Sequence, residues 1–298
     1  MIVLSEASEQ LAPSSSANDV HAATQAARLS GCEIYLIPPD FEMCHNATNA
    51  LWHIPFQTQE RLAIWIGYIP TLERYKAICD AALSKNIRLV NTTQQHRIAQ
   101  EFDAAYERLG ELTARSFILT SLNECEAAIE CVGLPVFVKG VVQSRKARGW
   151  KACVAENVEE LRELASYLFD LEARTRGRVV VRELVRLRHT RTSGAGFPLG
   201  REYRIFLLHN RVLECGYYWE GDDVLRNLSK EEQLQVLELA QEASRRLEVP
   251  FVAIDIGQKE DGDWIVIESG DAQFAGASQI PLLQLWHRLH QATANLSS

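Results

Sequence analysis

The chain has no apolar run long enough to cross a bilayer, and its N-terminus, MIVLSEASEQ, carries no basic stretch ahead of an apolar core. Neither a membrane span nor a secretory leader is expected. A soluble, cytoplasmic protein is the default expectation. Cysteine is scattered rather than patterned: seven occur, at positions 32, 44, 79, 125, 131, 153 and 215, and none forms C-x-x-C. An odd number spread over so long a chain argues against a disulfide framework and for reduced thiols. Cys153 and Cys215 lie in apolar runs, where cysteine serves as a small core residue. The eight histidines include no H-x-x-x-H pair, so a helical zinc site is not expected. There is no G-x-x-x-x-G-K-[ST] and no G-x-S-x-G, which removes the standard P-loop and the nucleophile elbow. GAGFPLG (194–200) is glycine-rich but does not follow a strand in dinucleotide-binding spacing, and it reads as a loop.

Positive charge is also scarce overall. Lys and Arg number 31 against 39 Asp and Glu, a net charge of -8, which argues against nucleic-acid binding. The shortage is uneven. From Lys139 to Arg211 there are sixteen Lys and Arg against eight Asp and Glu. A basic segment in an acidic chain suits a polyphosphate or an acidic substrate, or is simply a solvated basic face.

Strand-like and helical runs alternate through the first 95 residues. MIVLSE is strand-like and leads into a loop through Ser16, with PSSSAN (13–18) within or beside it. A helix over 21–31 ends at Gly31. Strands at 33–39, 61–69 and 87–91 bracket a helix over 72–86. Gln94 to Leu112 reads as one helix. Strands follow at 114–120, 135–141 and 177–185. Asn157 with Glu160, and Ser229 with Glu232, are capping patterns for two further helices. Residues 201–221 read as a hairpin about His209-Asn210, and a C-terminal helix runs through Trp286 and Leu289. The second half is thus a β-rich α+β arrangement.

FVAIDIGQKEDGDWIVIESGDAQFAG (251–276) places two apolar runs around Asp261-Gly262, a strong signal for a two-residue hairpin loop. That loop would set Ile256 opposite Ile267 and Asp255 opposite Glu268. Ile254, Ile256, Ile265 and Ile267 would share the other face. Like charges directly opposed destabilise a ladder. A hard divalent cation between them removes the conflict, and Mg²⁺ favours a few carboxylates with phosphate oxygens and water. A solvated acidic pair at a sheet edge is the alternative. The setting among Ile, Val and Trp favours metal, with Asp271 following at once. Lys139 ends the apolar strand VFVK and can reach a phosphate as a point charge or snorkel to the surface. VVQSRKARGWKACV then resembles a flap. Glu183 ends VVVRE, where exposed backbone could read an adenine edge, although a strand-end Glu is ordinarily just solvated. Arg201 and Arg204 head REYRIFL; paired arginines match phosphate and carboxylate forks, and an Arg204–Glu202 surface pair is the plain alternative.

In order, FVKG, a flexible polar loop, VVVRELV, REYRIFL and D-x(12)-E-x-x-D on a hairpin resemble the ATP-grasp family, closest to the clade named for two conserved arginines and one lysine. The resemblance covers roughly His96 to Leu289. It implies an ATP-grasp fold, two α+β subdomains clasping nucleotide, preceded by a small Rossmann-like α/β domain. The expected divisions are 1–95, 96–185 and 186–298. It further implies ATP and Mg²⁺ as cofactors. Lys139 would contact the α-phosphate and adenine side. The 143–150 loop, with Ser144, Arg145 and Lys146, would close over the β- and γ-phosphates. Glu183, Leu184 and Val185 would form the adenine hinge, with the ribose contact sought near His189 or Arg191. Asp255, Glu268 and Asp271 would hold Mg²⁺, and Arg201 and Arg204 would face the transferred group.

The implied activity is ATP-dependent carboxylate–amine ligation through an acyl phosphate, releasing ADP. A phosphotransferase of the same fold and a non-catalytic ATP-binding scaffold are the alternatives. Expected partners are small-molecule or peptide carboxylates and amines, with no nucleic acid or membrane. A homodimer follows by fold analogy alone.

Overall fold

The computed structural model describes residues 1–7, 11–42 and 44–294. Part of the loop expected after the first strand lies outside them. The first layer is a parallel sheet of β1 (Ile2–Glu6), β2 (Glu33–Ile37), β3 (Arg61–Ile66) and β4 (Ile87–Leu89), in the order β2-β1-β3-β4. Its helices are α1 (Ser15–Leu29), the short α2 (Ala47–Ala50) and α3 (Leu72–Leu83). Trp65, Tyr75, Leu4 and Ile78 form the core between the sheet and α3. Helix α1 begins inside the stretch expected to be a loop. Ser14 accepts from the Ala17 N–H at 3.1 Å, so the serine run supplies an N-cap instead of a linker.

The single helix expected over 94–112 is two, α4 (Thr93–Gln100) and α5 (Phe102–Leu109), broken at Glu101, whose backbone is extended. The Phe102 N–H donates to the Val141 carbonyl at 2.9 Å, and the Glu101 carboxylate accepts from Arg97 and Arg178. These tertiary bonds outweigh continued helix.

A second sheet holds β5 (Ser116–Leu119), β6 (Val136–Gly140), β7 (Val154–Ala155) and β8 (Val179–Glu183), ordered β5-β8-β6-β7, with every pair antiparallel. Helices α6 (Cys125–Val132) and α7 (Val158–Phe169) share its core, and α8 (Glu172–Thr175) follows. Asn157 caps α7 as its pattern predicts. The glycine-rich 194–200 stretch is only partly a loop, because β10 (Pro198–Gly200) pairs with β9 (His189–Thr192).

The third sheet is the antiparallel series β12-β11-β13-β14: β11 (Glu202–Leu208), β12 (Arg211–Tyr217), β13 (Phe251–Gln258) and β14 (Trp264–Asp271). His209 and Asn210, both at positive φ, turn the first hairpin. Helix α9 (Lys230–Leu247), with its Ser229–Glu232 capping box, covers one face together with α4 and α5. Helix α10 (Leu282–Ala294) packs on α1 and β12, so a common core joins the first and third layers through Phe206, Trp286 and Leu289.

The hairpin at Asp261-Gly262 differs from expectation in an informative way. Lys259 N–H donates to the Asp263 carbonyl at 2.8 Å, leaving a three-residue loop with Gly262 at φ 101°. The pairing is therefore one residue off, and Ile256 lies opposite Val266. A bulge between Asp255 and Ile256 restores the register, so Asp255 does oppose Glu268. The extra residue is Ile267. It leaves the core, which Val266 occupies with Ile254 and Ile256, and lines a cavity instead.

Candidate active site

A cavity of about 270 Å³ opens between the second and third sheets. One wall is the end of β6, with Phe137 and Lys139, and the end of β8, with Arg182 and Glu183. Strand β8 stops at Glu183, and Leu184 and Val185 continue along the wall beyond the ladder. Trp150 and Phe197, with ring centroids 6.2 Å apart, close another side. Ser144 and Lys146, on the loop that leads to Trp150, also line the cavity. Gly149 (φ 93°) is the close approach that lets this loop dock: a Cβ there would stand 2.2 Å from the Ala195 carbonyl oxygen. The opposite wall carries Glu202, Ile267, Glu268 and Glu260.

Four cations and three carboxylates concentrate at the inner end. Glu202 and Arg204 alternate onto one face of β11, and Arg204 lies opposite Asp255 in the ladder. The Arg204 guanidinium donates to both Asp255 oxygens, at 2.8 and 2.7 Å, and to the Gly276 carbonyl at 2.8 Å. Burial opposes its charge, but the Asp255 carboxylate outweighs that and raises its pKa. Lys139, 2% exposed, donates to Glu268 and stands 5.3 Å from the Phe102 ring centroid. Desolvation holds the Lys139 pKa below its ordinary value, while Glu268 opposes the fall. Glu268 is drawn down against its own burial by Lys139 and Lys146.

Lys146 Nζ sits 5.0 Å from the Trp219 ring centroid, 5.2 Å from that of Tyr218 and 3.8 Å from Glu202 Oε2. Burial disfavours its charge, yet Glu202 and its neighbours raise its pKa. Glu202 is 3% exposed, its pKa is raised by desolvation, and Oε2 has no hydrogen-bond partner. Arg182 completes the group, donating to the Ile267 and Val266 carbonyls and to Thr113, with its pKa pushed down to about 10 by burial.

The structure gathers Lys139, Ser144, Lys146, Glu183, Leu184, Val185 and Glu268 around the cavity, with Asp255 and Arg204 adjoining them. Three expected residues are elsewhere. Asp271 is fully buried on the opposite side of β14, sharing the face of Ser269. Its oxygens accept from Asn91 Nδ2 (2.9 Å), His96 Nδ1 (2.8 Å) and the Gln273 backbone and side chain. Among the described residues no three His, Cys, Asp or Glu side chains gather as a metal site, so the expected carboxylate triad is not assembled. Arg201 points the other way from Arg204. It donates to Glu232, Gln258 and the carbonyls of Leu225 and Asn227, and so anchors the start of α9. Arg145 lies 4.1 Å from the Tyr167 ring centroid, outside the cavity lining.

His189 does line the cavity, whereas Arg191 is bonded to the carbonyls of Asp222 and Glu220. Glu202, Arg182 and Glu260 were not singled out from the sequence as site residues. The β11 alternation already paired Glu202 with Arg204, and that parity was the available signal. Glu260 sits in a loop whose approach to the second sheet only the fold reveals.

The model for family 3 of the ATP-grasp clade named for two arginines and one lysine matches residues 131–289, more than half of the chain, and the chain belongs to that family. No curated protein matches the sequence. Solved structures do. A RimK-domain ATP-grasp protein from Sphaerobacter thermophilus superposes with a TM-score of 0.62 at 14% identity, covering 97% of this chain and 98% of that one. D-alanine–D-alanine ligase from Bacillus anthracis, solved with ATP, gives 0.68 at 12% identity, with 99% and 96% covered. A D-cycloserine synthetase gives 0.63 at 12% identity, with 98% and 99% covered. At such identities these likenesses speak for the fold, which is the expected ATP-grasp α+β fold behind a parallel α/β sheet. The family uses ATP, usually with Mg²⁺. Among the described residues no helix is long and apolar enough to cross a membrane.

Proposed function

We propose that the protein is an ATP-dependent carboxylate–amine ligase that works through an acyl phosphate and releases ADP. The observation that carries this reading is the inner end of the cavity, where Lys139 meets Glu268, Arg204 meets Asp255 and Lys146 meets Glu202. Each cation is of a type that binds polyphosphate, and each carboxylate is a hard oxygen donor. In this reading residues 1–95 precede the grasp, and its two halves meet near Val185. Helices α4 and α5 pack with the second half, although in sequence they fall at the start of the division 96–185 expected for the first.

The Leu184–Val185 backbone and the Trp150 and Phe197 rings would hold the base. Glu260, Arg186 and His189 border the same cavity where a ribose would lie. Lys139 and Lys146 would orient the phosphates. The donor set fits magnesium: Asp255 and Glu268 would hold it, in keeping with a metal that takes one or two carboxylates and completes its sphere with phosphate and water. When bound it neutralises charge on phosphoryl oxygens. Arg204 would steady the transferring group and align the incoming acid. The acid's carboxylate oxygen attacks the γ-phosphorus, the bond to the β-phosphate oxygen breaks, and ADP leaves. The amine lone pair then attacks the acyl carbon, the bond to phosphate oxygen breaks, and the amine proton passes to solvent. No protein nucleophile is required.

The test is thermal unfolding with millimolar ATP, with and without Mg²⁺, for the wild type and Glu268→Gln. A Mg²⁺-dependent rise in Tm is expected for the wild type and a much smaller one for the variant. ADP release that needs both an acid and an amine, with an amide product, is the second expected result. Absence of any nucleotide shift in the wild type would refute the reading.

A further inference from the structure

Lys146 reaches the cavity from the loop after β6, and a cage holds its ammonium there. The Tyr218 and Trp219 rings stand at 76° to each other with centroids 4.8 Å apart, and Lys146 Nζ lies 5.2 and 5.0 Å from those centroids. Glu202 Oε2, 3.8 Å from Nζ, is the third wall. Two aromatic faces and a carboxylate about one point are a setting for an ammonium. Bonds within the chain fix these walls independently of the lysine. The Tyr218 N–H donates to the Glu202 carbonyl at 2.9 Å, and the Trp219 indole N–H donates to the Gly200 carbonyl at 2.9 Å. Gln279 Nε2 donates to the Trp219 and Gly221 carbonyls at 2.6 and 2.7 Å.

Lys146 fills this cage incompletely. A separation of 3.8 Å is too long for a hydrogen bond, and Glu202 Oε2, on a residue 3% exposed, has no hydrogen-bond partner. A buried carboxylate oxygen left without a donor is costly, and this one belongs to a residue that lines a cavity. Lys146 lines the same cavity, so a lysine drawn toward the phosphates leaves the cage and takes away the cation nearest Glu202. The Tyr218 ring also lies 4.7 Å from the Arg204 guanidinium, the group assigned to the incoming acid. Tyr218 and Trp219 are both partly exposed, so a ligand can reach them from solvent.

We propose that Tyr218, Trp219 and Glu202 form the subsite for the amine substrate, taken as a primary ammonium, and that Lys146 occupies it until nucleotide draws the lysine to the phosphates. This rests on the ligase reading and assigns the place of its second substrate. Binding is then ordered, nucleotide first and amine second. A free ammonium, unlike the tethered lysine, can approach Glu202 Oε2 to hydrogen-bond distance. A quaternary ammonium has the charge the rings attract but no N–H for Oε2, and it binds less well. Before attack the bound ammonium releases its extra proton to solvent, which frees the lone pair for the acyl carbon.

The experiment titrates the full chain calorimetrically with a non-hydrolysable ATP analogue and Mg²⁺, once in n-propylammonium chloride and once in tetramethylammonium chloride at the same ionic strength. The primary amine replaces the cation that Glu202 loses, so it and the nucleotide should favour each other's binding. Nucleotide affinity should be at least about fivefold higher in propylammonium than in tetramethylammonium. Lys146→Met empties the cage, so propylammonium should raise its Tm without nucleotide, which it should not do for the wild type. Glu202→Gln should bring the ratio of the two nucleotide affinities close to one, and Tyr218→Leu makes the same test if that variant fails to fold. A wild-type ratio of one or below, a ratio retained in the folded Glu202 or Tyr218 variant, or a Lys146→Met protein whose Tm ignores propylammonium would overturn the proposal. A wild type that binds Mg²⁺–nucleotide but shows one of these outcomes fails on the amine subsite alone. A wild type that binds no nucleotide in either salt fails on the ligase reading itself.

Discussion

Replacing Asp271 by alanine tests whether that carboxylate serves the fold or a metal. Its side chain is fully buried and accepts from Asn91 Nδ2, His96 Nδ1 and the Gln273 backbone N–H. These partners tie the third sheet to residues of the first layer and α4. His96 in turn stacks on Tyr75 with centroids 4.1 Å apart. Deletion strands three buried donors, and each unpaired donor costs about 1–3 kcal/mol. Partial entry of water and local relaxation reduce the sum, so a loss of about 3–6 kcal/mol is expected. Against a total stability of about 5–15 kcal/mol that is a large fraction. For a chain of this size it corresponds to a fall in Tm of roughly 10 °C.

Asp271→Asn keeps one acceptor oxygen but sets an amide N–H₂ toward a second donor, so a smaller fall is expected. The assay is thermal unfolding of both variants, with the Mg²⁺-dependent nucleotide shift recorded on each folded protein. The structural role predicts a lowered baseline Tm with the nucleotide shift retained. An unchanged baseline with loss of the Mg²⁺ dependence would refute the reasoning and return Asp271 to the metal site.

Two other buried groups give measurable expectations. Arg201→Ala should lower stability by about 2–3 kcal/mol, because the Glu232 carboxylate and two carbonyls lose their donor; nucleotide affinity measured by calorimetry should stay within about threefold, that is within ~0.7 kcal/mol. Glu6 is 1% exposed, and desolvation raises its pKa to about 7 despite the donating Tyr68 N–H and the charge of Arg74, 3.1 Å away. Its folded pKa lies above the unfolded value near 4.5, so its contribution is complete below that value and is lost as pH rises through 7. Denaturant titrations from pH 5 to 8 should show stability falling by about 1–3 kcal/mol in the wild type, with a flatter profile in Glu6→Gln. A variant that retains the wild-type slope would show that other groups set it.

The ordered motifs from FVKG to the paired carboxylates were legible because they are local. A strand ending in lysine, a strand ending in glutamate and an Asp-Gly hairpin each declare themselves within a few residues. Strand parity was equally legible but unevenly applied. Arg201 and Arg204 are three residues apart and must face opposite ways, and the same holds for Glu268 and Asp271. The structure assigns one member of each pair to the charged group at or beside the cavity and the other to a buried network. The Asp255–Glu268 opposition was expected through a register the hairpin does not adopt. A longer loop and a bulge cancel, and the bulge delivers Ile267 to the cavity.

By itself, the sequence determined the element types, the helix caps, the family and the residue types that suit nucleotide. These depend on short-range periodicity and backbone chemistry, which neighbouring residues settle among themselves. Only the tertiary structure decided which charges share a wall. Lys139 and Glu268 are 129 residues apart, Lys146 lies on the connection between β6 and β7 of the second sheet while Glu202 opens β11 of the third, and Asp271 finds its partners in Asn91 and His96. Burial makes those choices, because a charge removed from water must find a partner wherever the packed layers bring one within reach.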